Sequence, residues 1–152
     1  MDVRYEYISM QSPYYHKCVA LRYKAFFSGL PLDIVHDDEE EESEHLVAIY
    51  NDEVAGYIRL FFRDNGARIS QFVVDDAMRG KYNIAHTLIR MTMDKAKEYK
   101  CDYLWGEIRL HMKRAAAAYG FTVSDEPFPS KRTGIPHLLI HMTLESDHSQ
   151  DV

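Results

Sequence analysis

One segment of the chain combines a strand, a basic turn and the start of a helix. The strand ends at Val74, the turn contains Arg79-Gly80-Lys81, and the helix begins at about Asn83. A helix start exposes backbone N–H groups and carries partial positive charge, so with two cationic side chains it favours binding of a phosphate or pyrophosphate. The same pattern also occurs in ordinary strand–turn–helix units. The Walker A pattern and the dinucleotide pattern GxGxxG are both absent from the sequence.

The rest of the sequence alternates between strand and helix patterns. Period-two alternation and short apolar runs predict strands at 3–8, 46–50, 54–62, 67–74, 103–105 and 137–144. Apolar residues at helical spacing predict helices between Pro13 and Ser28, from Asn83 to about Lys100 and from His111 to Tyr119. This order predicts an α/β (α+β) fold in which helices cover both faces of one sheet. We expect one domain over residues 1–145 and a frayed tail at 146–152.

The composition is that of an ordinary globular domain. The 152 residues are 46% hydrophobic and 28% charged, which excludes a disordered or fibrous chain. The sequence contains no apolar run near the roughly 20 residues that span a bilayer, and its first residues lack a signal-peptide pattern. The two cysteines are too few for a disulfide scaffold or a four-cysteine zinc site. We therefore expect a cytoplasmic protein with no metal site and no membrane partner.

The net charge of −6 comes from one acidic run, residues 37–44, which carries seven carboxylates. Without this run the chain has 17 acidic and 18 basic residues, so the body is nearly neutral. The sequence shows no basic stripe of the kind that neutralises phosphates along a nucleic acid, so we expect no nucleic-acid partner.

The order of elements and several short motifs resemble the GNAT superfamily of acetyl-CoA-dependent N-acetyltransferases. The family motif R/Q-x-x-G-x-G/A ends a central strand and opens a helix, and Arg79-Gly80-Lys81 with Ile84-Ala85 is similar to it. Gly120-Phe121 is similar to the pair that ends the penultimate helix in many members. Gly134-Ile135-Pro136-His137 resembles a tetrapeptide before the last strand in one bacterial branch. The resemblance covers most of the chain.

The resemblance implies a GNAT-like mixed, mostly antiparallel central sheet with helices on both faces. It implies an acyltransferase that moves an acetyl group from acetyl-CoA, a cosubstrate, to a primary amine by direct attack on the thioester. It places the cofactor on the end of the central strand and on the turn and helix start that follow. Those residues are Phe72, Val73, Val74, Arg79, Gly80, Lys81, Tyr82, Asn83, Ile84 and Ala85.

Two positions depart from the family pattern. Tyr82 stands where the first glycine is expected, and reading Tyr82 as an insertion places Asn83 and Ala85 at the two small-residue positions. Asn tolerates a left-handed backbone better than most residues, so Asn83 is physically tolerable at the position of the first glycine. Many members also carry a tyrosine, four residues before the glycine of Gly120-Phe121, that protonates the departing thiolate. In this chain that position is Ala116.

The resemblance also locates the cleft, and two side chains near it are candidate general bases. Glu107 follows Trp105-Gly106 at the end of a predicted short strand, and His111 begins the next helix. A carboxylate or an imidazole there would accept the proton of an amine, and the ordinary pKa of His suits this task. Each residue is equally consistent with an exposed side chain at the end of an element.

The acidic run has two interpretations. It is either a solvated loop or short helix that favours solubility, or a surface that attracts a cationic acceptor. The second interpretation rests on the resemblance, because the segment after the first helix lines the acceptor side of the cleft in the family. Neutralising residues 39–42 would then raise the Michaelis constant for a polyamine, an aminoglycoside or a lysine side chain and weaken its salt dependence.

Three functions remain open at this point. The first is an N-acetyltransferase that acts on a small-molecule or protein amine. The resemblance also allows this chain to form a homodimer. The second is a non-catalytic pseudoenzyme that binds CoA or acyl-CoA. The third is an interaction module that docks a basic partner through the acidic run.

Overall fold

The computed structural model describes residues 2–144, which form eight strands and three α-helices. The strands are β1 (Arg4–Ile8), β2 (Glu44–Tyr50), β3 (Glu53–Arg63), β4 (Gly66–Val74), β5 (Tyr103–Arg109), β6 (Thr122–Val123), β7 (Phe128–Pro129) and β8 (Pro136–Thr143). The α-helices are α1 (Tyr15–Arg22), which continues as a π-helical turn (Tyr23–Phe27), α2 (Ile84–Glu98) and α3 (Lys113–Ala118). Short 3₁₀ turns lie at Leu32–Val35, Glu40–Glu42, Asp76–Met78 and Leu110–Met112.

All described strands belong to one sheet with the order β1-β2-β3-β4-β5-β8-β6, and β7 also pairs with β8. β4 and β5 are parallel, whereas the other neighbours are antiparallel. A parallel pair needs a long crossover, which α2 supplies between these two strands. The sheet is therefore mixed and mostly antiparallel, as the resemblance implied.

Helices cover both faces of the sheet, and each face has its own apolar core. Along β2, Leu46 and Ala48 face one core, whereas Val47 and Ile49 face the other. The first core contains α2 and α3, and the second contains α1 and its π-helical turn. Because the strand is buried on both sides, its sequence is a continuous apolar run rather than an alternating one.

The structure changes two element boundaries that bear on the cleft. β5 continues to Arg109, whereas the sequence predicted a strand that ends at Trp105. The predicted strand was too short because the charged residues Glu107 and Arg109 interrupt the apolar run. The third helix begins at Lys113, after a 3₁₀ turn at Leu110–Met112, rather than at His111. The tail predicted for 146–152 lies outside the described residues. Within residues 2–144, no helix is both long and apolar enough to cross a membrane.

Candidate active site

The parallel strands β4 and β5 separate before either one ends. Their pairing runs from Gly66 beside Tyr103 to Ile69 beside Gly106 and stops there. A Cβ atom on residue 106 would lie 2.2 Å from the carbonyl oxygen of Ile69, so this close approach requires glycine. Beyond it, the edge of β4 that faces β5 has no strand partner, and a cleft opens between the two strands.

A bulge in β4 lies at the start of the cleft. Gln71 has a φ of 50°, and the register of the β3–β4 pairing shifts beside it. Such bulges bend a strand and redirect its side chains. The Arg22 Nε donates a 2.7 Å hydrogen bond to the Gln71 Oε1, which fixes the bulge to α1. The buried residues that follow carry β4 to the rim of the cleft: Phe72, Val73 and Val74.

A cavity of about 120 Å³ lies on the α1 side of the cleft, and we call it the arginine cavity. Glu107 of β5 lines it, and the Glu107 carboxylate has no ion pair or hydrogen bond with a side chain of the described residues. The cavity also contains three arginines, an aspartate, two aromatic rings and several hydroxyl or amide groups. The lining residues other than Glu107 are Phe26, Phe27, Asp37, Arg59, Arg68, Ser70, Gln71, Ser130, Arg132, Thr133 and His137.

A larger cavity of about 410 Å³ lies at the start of α2, and we call it the helix-start cavity. Seven of the ten predicted cofactor residues line it, namely Val74, Arg79, Gly80, Lys81, Asn83, Ile84 and Ala85. The cavity is cationic because Arg79, Lys81 and Arg114 face it, and none of its described lining residues is acidic. Backbone N–H groups at a helix start add to this positive potential.

The turn before α2 contains two consecutive residues with a left-handed backbone. Asn83 has φ 54° and ψ 36°, a conformation that Asn tolerates better than most residues. Tyr82 is also left-handed, with φ 59°. Its ring lies 5.2 Å from that of Tyr50 and does not line the helix-start cavity. Tyr82 therefore acts as an inserted residue that packs outside the cavity.

The two candidate bases lie in different cavities. Glu107 lines the arginine cavity, whereas His111 lines the helix-start cavity. Loss of hydration, with the positive charges of Arg79 and Arg109, lowers the pKa of His111 to about 4. The imidazole is therefore neutral near pH 7 and is a weak base. This separation favours Glu107 as the proton acceptor on the α1 side.

A buried network of arginines and carboxylates forms the wall of the arginine cavity. Glu40 is 1% exposed and accepts hydrogen bonds of 2.8 and 2.7 Å from Arg22 and of 2.9 Å from Arg59. Arg59 also donates two hydrogen bonds of 2.8 Å to Asp37. The two arginine side chains are themselves buried. The network links the segment after α1 to strands β3 and, through Arg22 and Gln71, β4.

The network stabilises the ionised form of Glu40. Burial by itself would raise the pKa of this carboxyl, but hydrogen bonds and charge from Arg22, with help from Tyr15 and His45, lower the pKa to about 2. The same contacts raise the pKa of Arg22 despite its burial. Each charge thus depends on the other for a favourable environment.

The acidic run is therefore not the solvated segment that the first interpretation described. Glu40 is buried, Asp37 pairs with Arg59, and Glu39 pairs with Arg68. The prediction was wrong because sequence proximity does not show which distant arginines fold against a run of carboxylates. Asp38, Glu41 and Glu42 remain exposed, as expected for a charged surface segment.

Ala116 is fully buried in α3 and has no group that could protonate a thiolate. Four arginines that line the cavities were not predicted from the sequence: Arg114 in the helix-start cavity, and Arg59, Arg68 and Arg132 in the arginine cavity. The signals in the sequence were weak, since Arg59 and Arg68 lie within predicted strands, Arg114 lies near a helix start and Arg132 precedes Gly134-Ile135-Pro136-His137. Residues 2–144 contain no group of three or more His, Cys, Asp or Glu side chains placed to hold a metal ion.

Comparisons with known proteins were made by sequence and by structure. The model of the acetyltransferase (GNAT) family matches residues 6–121. No curated protein sequence shows a significant match to the chain.

Several solved structures have a similar fold over nearly their whole length. Escherichia coli ElaA is 18% identical, with 92% of this chain and 99% of that chain covered and a TM-score of 0.73. A GNAT family acetyltransferase from Elizabethkingia anophelis, solved with acetyl-CoA bound, is 18% identical, with coverages of 93% and 98% and a TM-score of 0.70. An acetyltransferase from Bacillus subtilis in complex with CoA is 18% identical, with coverages of 95% and 100% and a TM-score of 0.71.

Proposed function

The chain belongs to the GNAT family of acetyltransferases, and from this premise we propose that it transfers an acetyl group from acetyl-CoA to a primary amine. One observation carries the proposal. The unpaired edge of β4 lies between a cationic cavity suited to phosphates and a second cavity that contains a free carboxylate. A thioester placed in this cleft would meet the cofactor groups on one side and an amine on the other.

The helix-start cavity is the proposed site of the CoA phosphates. Backbone N–H groups at the start of α2 and the side chains of Arg79, Lys81 and Arg114 supply hydrogen-bond donors and positive charge. Gly80, with φ 74° and open space around its α-carbon, lets the backbone of the turn approach an anion closely. We place the acyl chain along the β4 edge at Phe72, Val73 and Val74.

The arginine cavity is the proposed site of the amine. The Glu107 carboxylate would accept a proton from the amine, directly or through water, as the nitrogen attacks the thioester carbonyl. The new C–N bond forms, negative charge develops on the carbonyl oxygen, and a backbone N–H at the unpaired β4 edge would stabilise it. The C–S bond then breaks and CoA leaves as a thiolate.

The protonation of this thiolate needs no side chain at residue 116. Because Ala116 has only a methyl group, we assign the proton to solvent. His111 is neutral near pH 7 and so offers a hydrogen bond rather than a proton. The same feature favours a second candidate function, a CoA-binding protein with little or no turnover, because a slower protonation step lowers activity without affecting binding.

Thermal unfolding with CoA, acetyl-CoA and ADP, followed by an assay of thiol release with primary amines, tests the proposal. Ligand at about 100 times its dissociation constant stabilises a fold by about 2.7 kcal/mol, so specific binding of CoA compounds raises the unfolding temperature measurably. Arg79→Ala should weaken CoA binding by about tenfold, because it removes a charge-assisted contact. Arg90→Ala is the matched control, because Arg90 is an exposed cation of α2 that does not line the helix-start cavity.

The outcomes separate the two candidates. CoA binding with amine-dependent thiol release supports the transferase. CoA binding without thiol release for any amine supports the non-catalytic candidate. Absence of CoA binding would contradict both. Equal effects of the two arginine substitutions on CoA binding would contradict the placement of the CoA phosphates in the helix-start cavity.

A further inference from the structure

One cation in the arginine cavity is only weakly paired within the part of the chain that the structure describes. Arg132 is 36% exposed and contacts Asp37 at 3.4 Å, a weak distance for a hydrogen bond. The Asp37 oxygens already accept two hydrogen bonds of 2.8 Å from Arg59. The Arg132 guanidinium lies over the Phe27 ring, 4.8 Å from its centroid, and leaves most of its N–H donors without a partner among the described residues.

The other two arginines of the cavity are committed to structural contacts. Arg59 uses its Nε for Ser70 and its two terminal nitrogens for Asp37 and Glu40. Arg68 pairs with Glu39 and lies over the Trp105 ring, 5.6 Å from its centroid. Neither has the free donor geometry of Arg132.

The surroundings of Arg132 favour an additional anion. Loss of hydration, which Asp37 offsets only in part, lowers the pKa of Arg132, and the charges of Arg59 and Arg22 lower it further. The four arginines of this region face three paired carboxylates, Asp37, Glu39 and Glu40. Among these paired groups one positive charge remains, and the Glu107 carboxylate in the same cavity offsets it. A ligand carboxylate would form the paired hydrogen bonds that a guanidinium favours, while an amine on the same ligand would neutralise Glu107.

The carboxylate of Glu107 supplies a negative charge to the same cavity, opposite in sign to the charge of Arg132. Within residues 2–144, the arginine cavity thus presents a carboxylate without a side-chain partner and a guanidinium whose one ion pair is the 3.4 Å contact with Asp37, with the aromatic rings of Phe26 and Phe27 in the same lining. A ligand that satisfies both charges carries an amine and a carboxylate.

We propose that the acceptor is a small amino acid-like molecule, whose carboxylate binds Arg132 while its amine lies at Glu107 and its apolar part contacts Phe26 and Phe27. This assignment rests on the proposed transferase function and narrows its acceptor class. It also replaces attraction by the acidic run as the basis of acceptor choice, since three of those carboxylates are already paired with arginines.

Matched acceptors test the assignment in the thiol-release assay with the full chain and acetyl-CoA. Leucine, methionine and phenylalanine are each compared with the corresponding amide and with the amine that lacks the carboxylate. We expect kcat/KM for the amino acid to exceed that for its amide and for the simple amine by about tenfold or more, mainly because KM is lower. The reason is that only the acid forms the charge-assisted pair with Arg132. An aminophosphonate of the same size distinguishes a carboxylate site from a phosphate site.

Arg132→Gln should remove this preference by lowering kcat/KM for the acids. Lys131→Gln is the matched control, because Lys131 is an exposed cation of the same loop that does not line the cavity. Equal rates for acids, amides and simple amines would overturn the assignment and leave the transferase function intact. A faster aminophosphonate, or a preference retained in Arg132→Gln, would overturn it as well. Failure of every amine, with CoA bound, would instead overturn the transferase function.

Discussion

Replacing Glu40 with Gln should reveal how much the buried ion network contributes to stability. The substitution keeps the shape of the side chain but removes the charge between Arg22 and Arg59, whose side chains are 0% and 2% exposed. Removing one partner of a buried pair leaves an uncompensated charge and costs about 3 to 5 kcal/mol. That is a large part of the roughly 5–15 kcal/mol that holds a typical domain folded.

The pKa of Glu40 gives a separate estimate of the same quantity. The folded value of about 2 lies below the ordinary value of 4.5, so the ionised network stabilises the fold above pH 4.5. At about 1.4 kcal/mol per pH unit, the difference corresponds to about 3 kcal/mol. This stabilisation should be lost as the pH falls from 4.5 towards 2. A Gln side chain does not titrate, so the difference between wild type and Glu40→Gln should shrink over this range.

Urea unfolding at pH 7 and at steps down to pH 3 measures both the loss of stability in Glu40→Gln and its decrease as the pH falls. For a domain of this size, each kcal/mol lowers the unfolding temperature by roughly 2–4 °C, so thermal unfolding should show a decrease of roughly 6–20 °C at pH 7. Glu42→Gln is the control, because Glu42 belongs to the same acidic run but is exposed. A loss below 1 kcal/mol at pH 7, or a loss equal to that of the control, would refute the reasoning.

The remaining predictions concern the cleft. Glu107→Gln should lower kcat for amine acetylation by about 100-fold or more and leave CoA binding unchanged, because the amide cannot accept the proton. Steady-state kinetics measure kcat, and the thermal shift with CoA measures binding. An unchanged kcat would show that the base lies elsewhere. Gly106→Ala should destabilise the fold by about 1–3 kcal/mol, because its Cβ would meet the Ile69 carbonyl oxygen. The new Cβ of Gly66→Ala would also lie 2.2 Å from its nearest neighbour, the Tyr103 ring, but this substitution should destabilise the fold less, because a half-exposed ring can move. Equal losses of unfolding free energy in urea for the two variants would contradict this reasoning.

The fold was predictable because its elements are locally encoded. Alternating apolar residues in the strands and the helical spacing of Ile84, Leu88 and Met91 each act over a few residues, so the order of elements could be read directly. That Asn83 can replace a glycine in the turn was arguable for the same reason, since tolerance of a left-handed backbone depends on residue type. β5 was predicted too short, because Glu107 and Arg109 lie on its cavity side and mask the buried face formed by Leu104, Gly106 and Ile108.

The contents of the two cavities required the tertiary structure. The sequence determined that a basic turn precedes α2 and that a carboxylate follows Trp105-Gly106. It did not determine that Glu107 and His111 lie in separate cavities, or that Glu40 is buried between Arg22 and Arg59. Those pairs join residues 18 and 19 positions apart, and Arg132 meets Asp37 across 95 positions. Long-range charge pairing follows from how strands and loops are brought together, which no local pattern specifies. The sequence therefore determined the scaffold and the cofactor turn, whereas only the folded chain decided which charges remain free for a ligand.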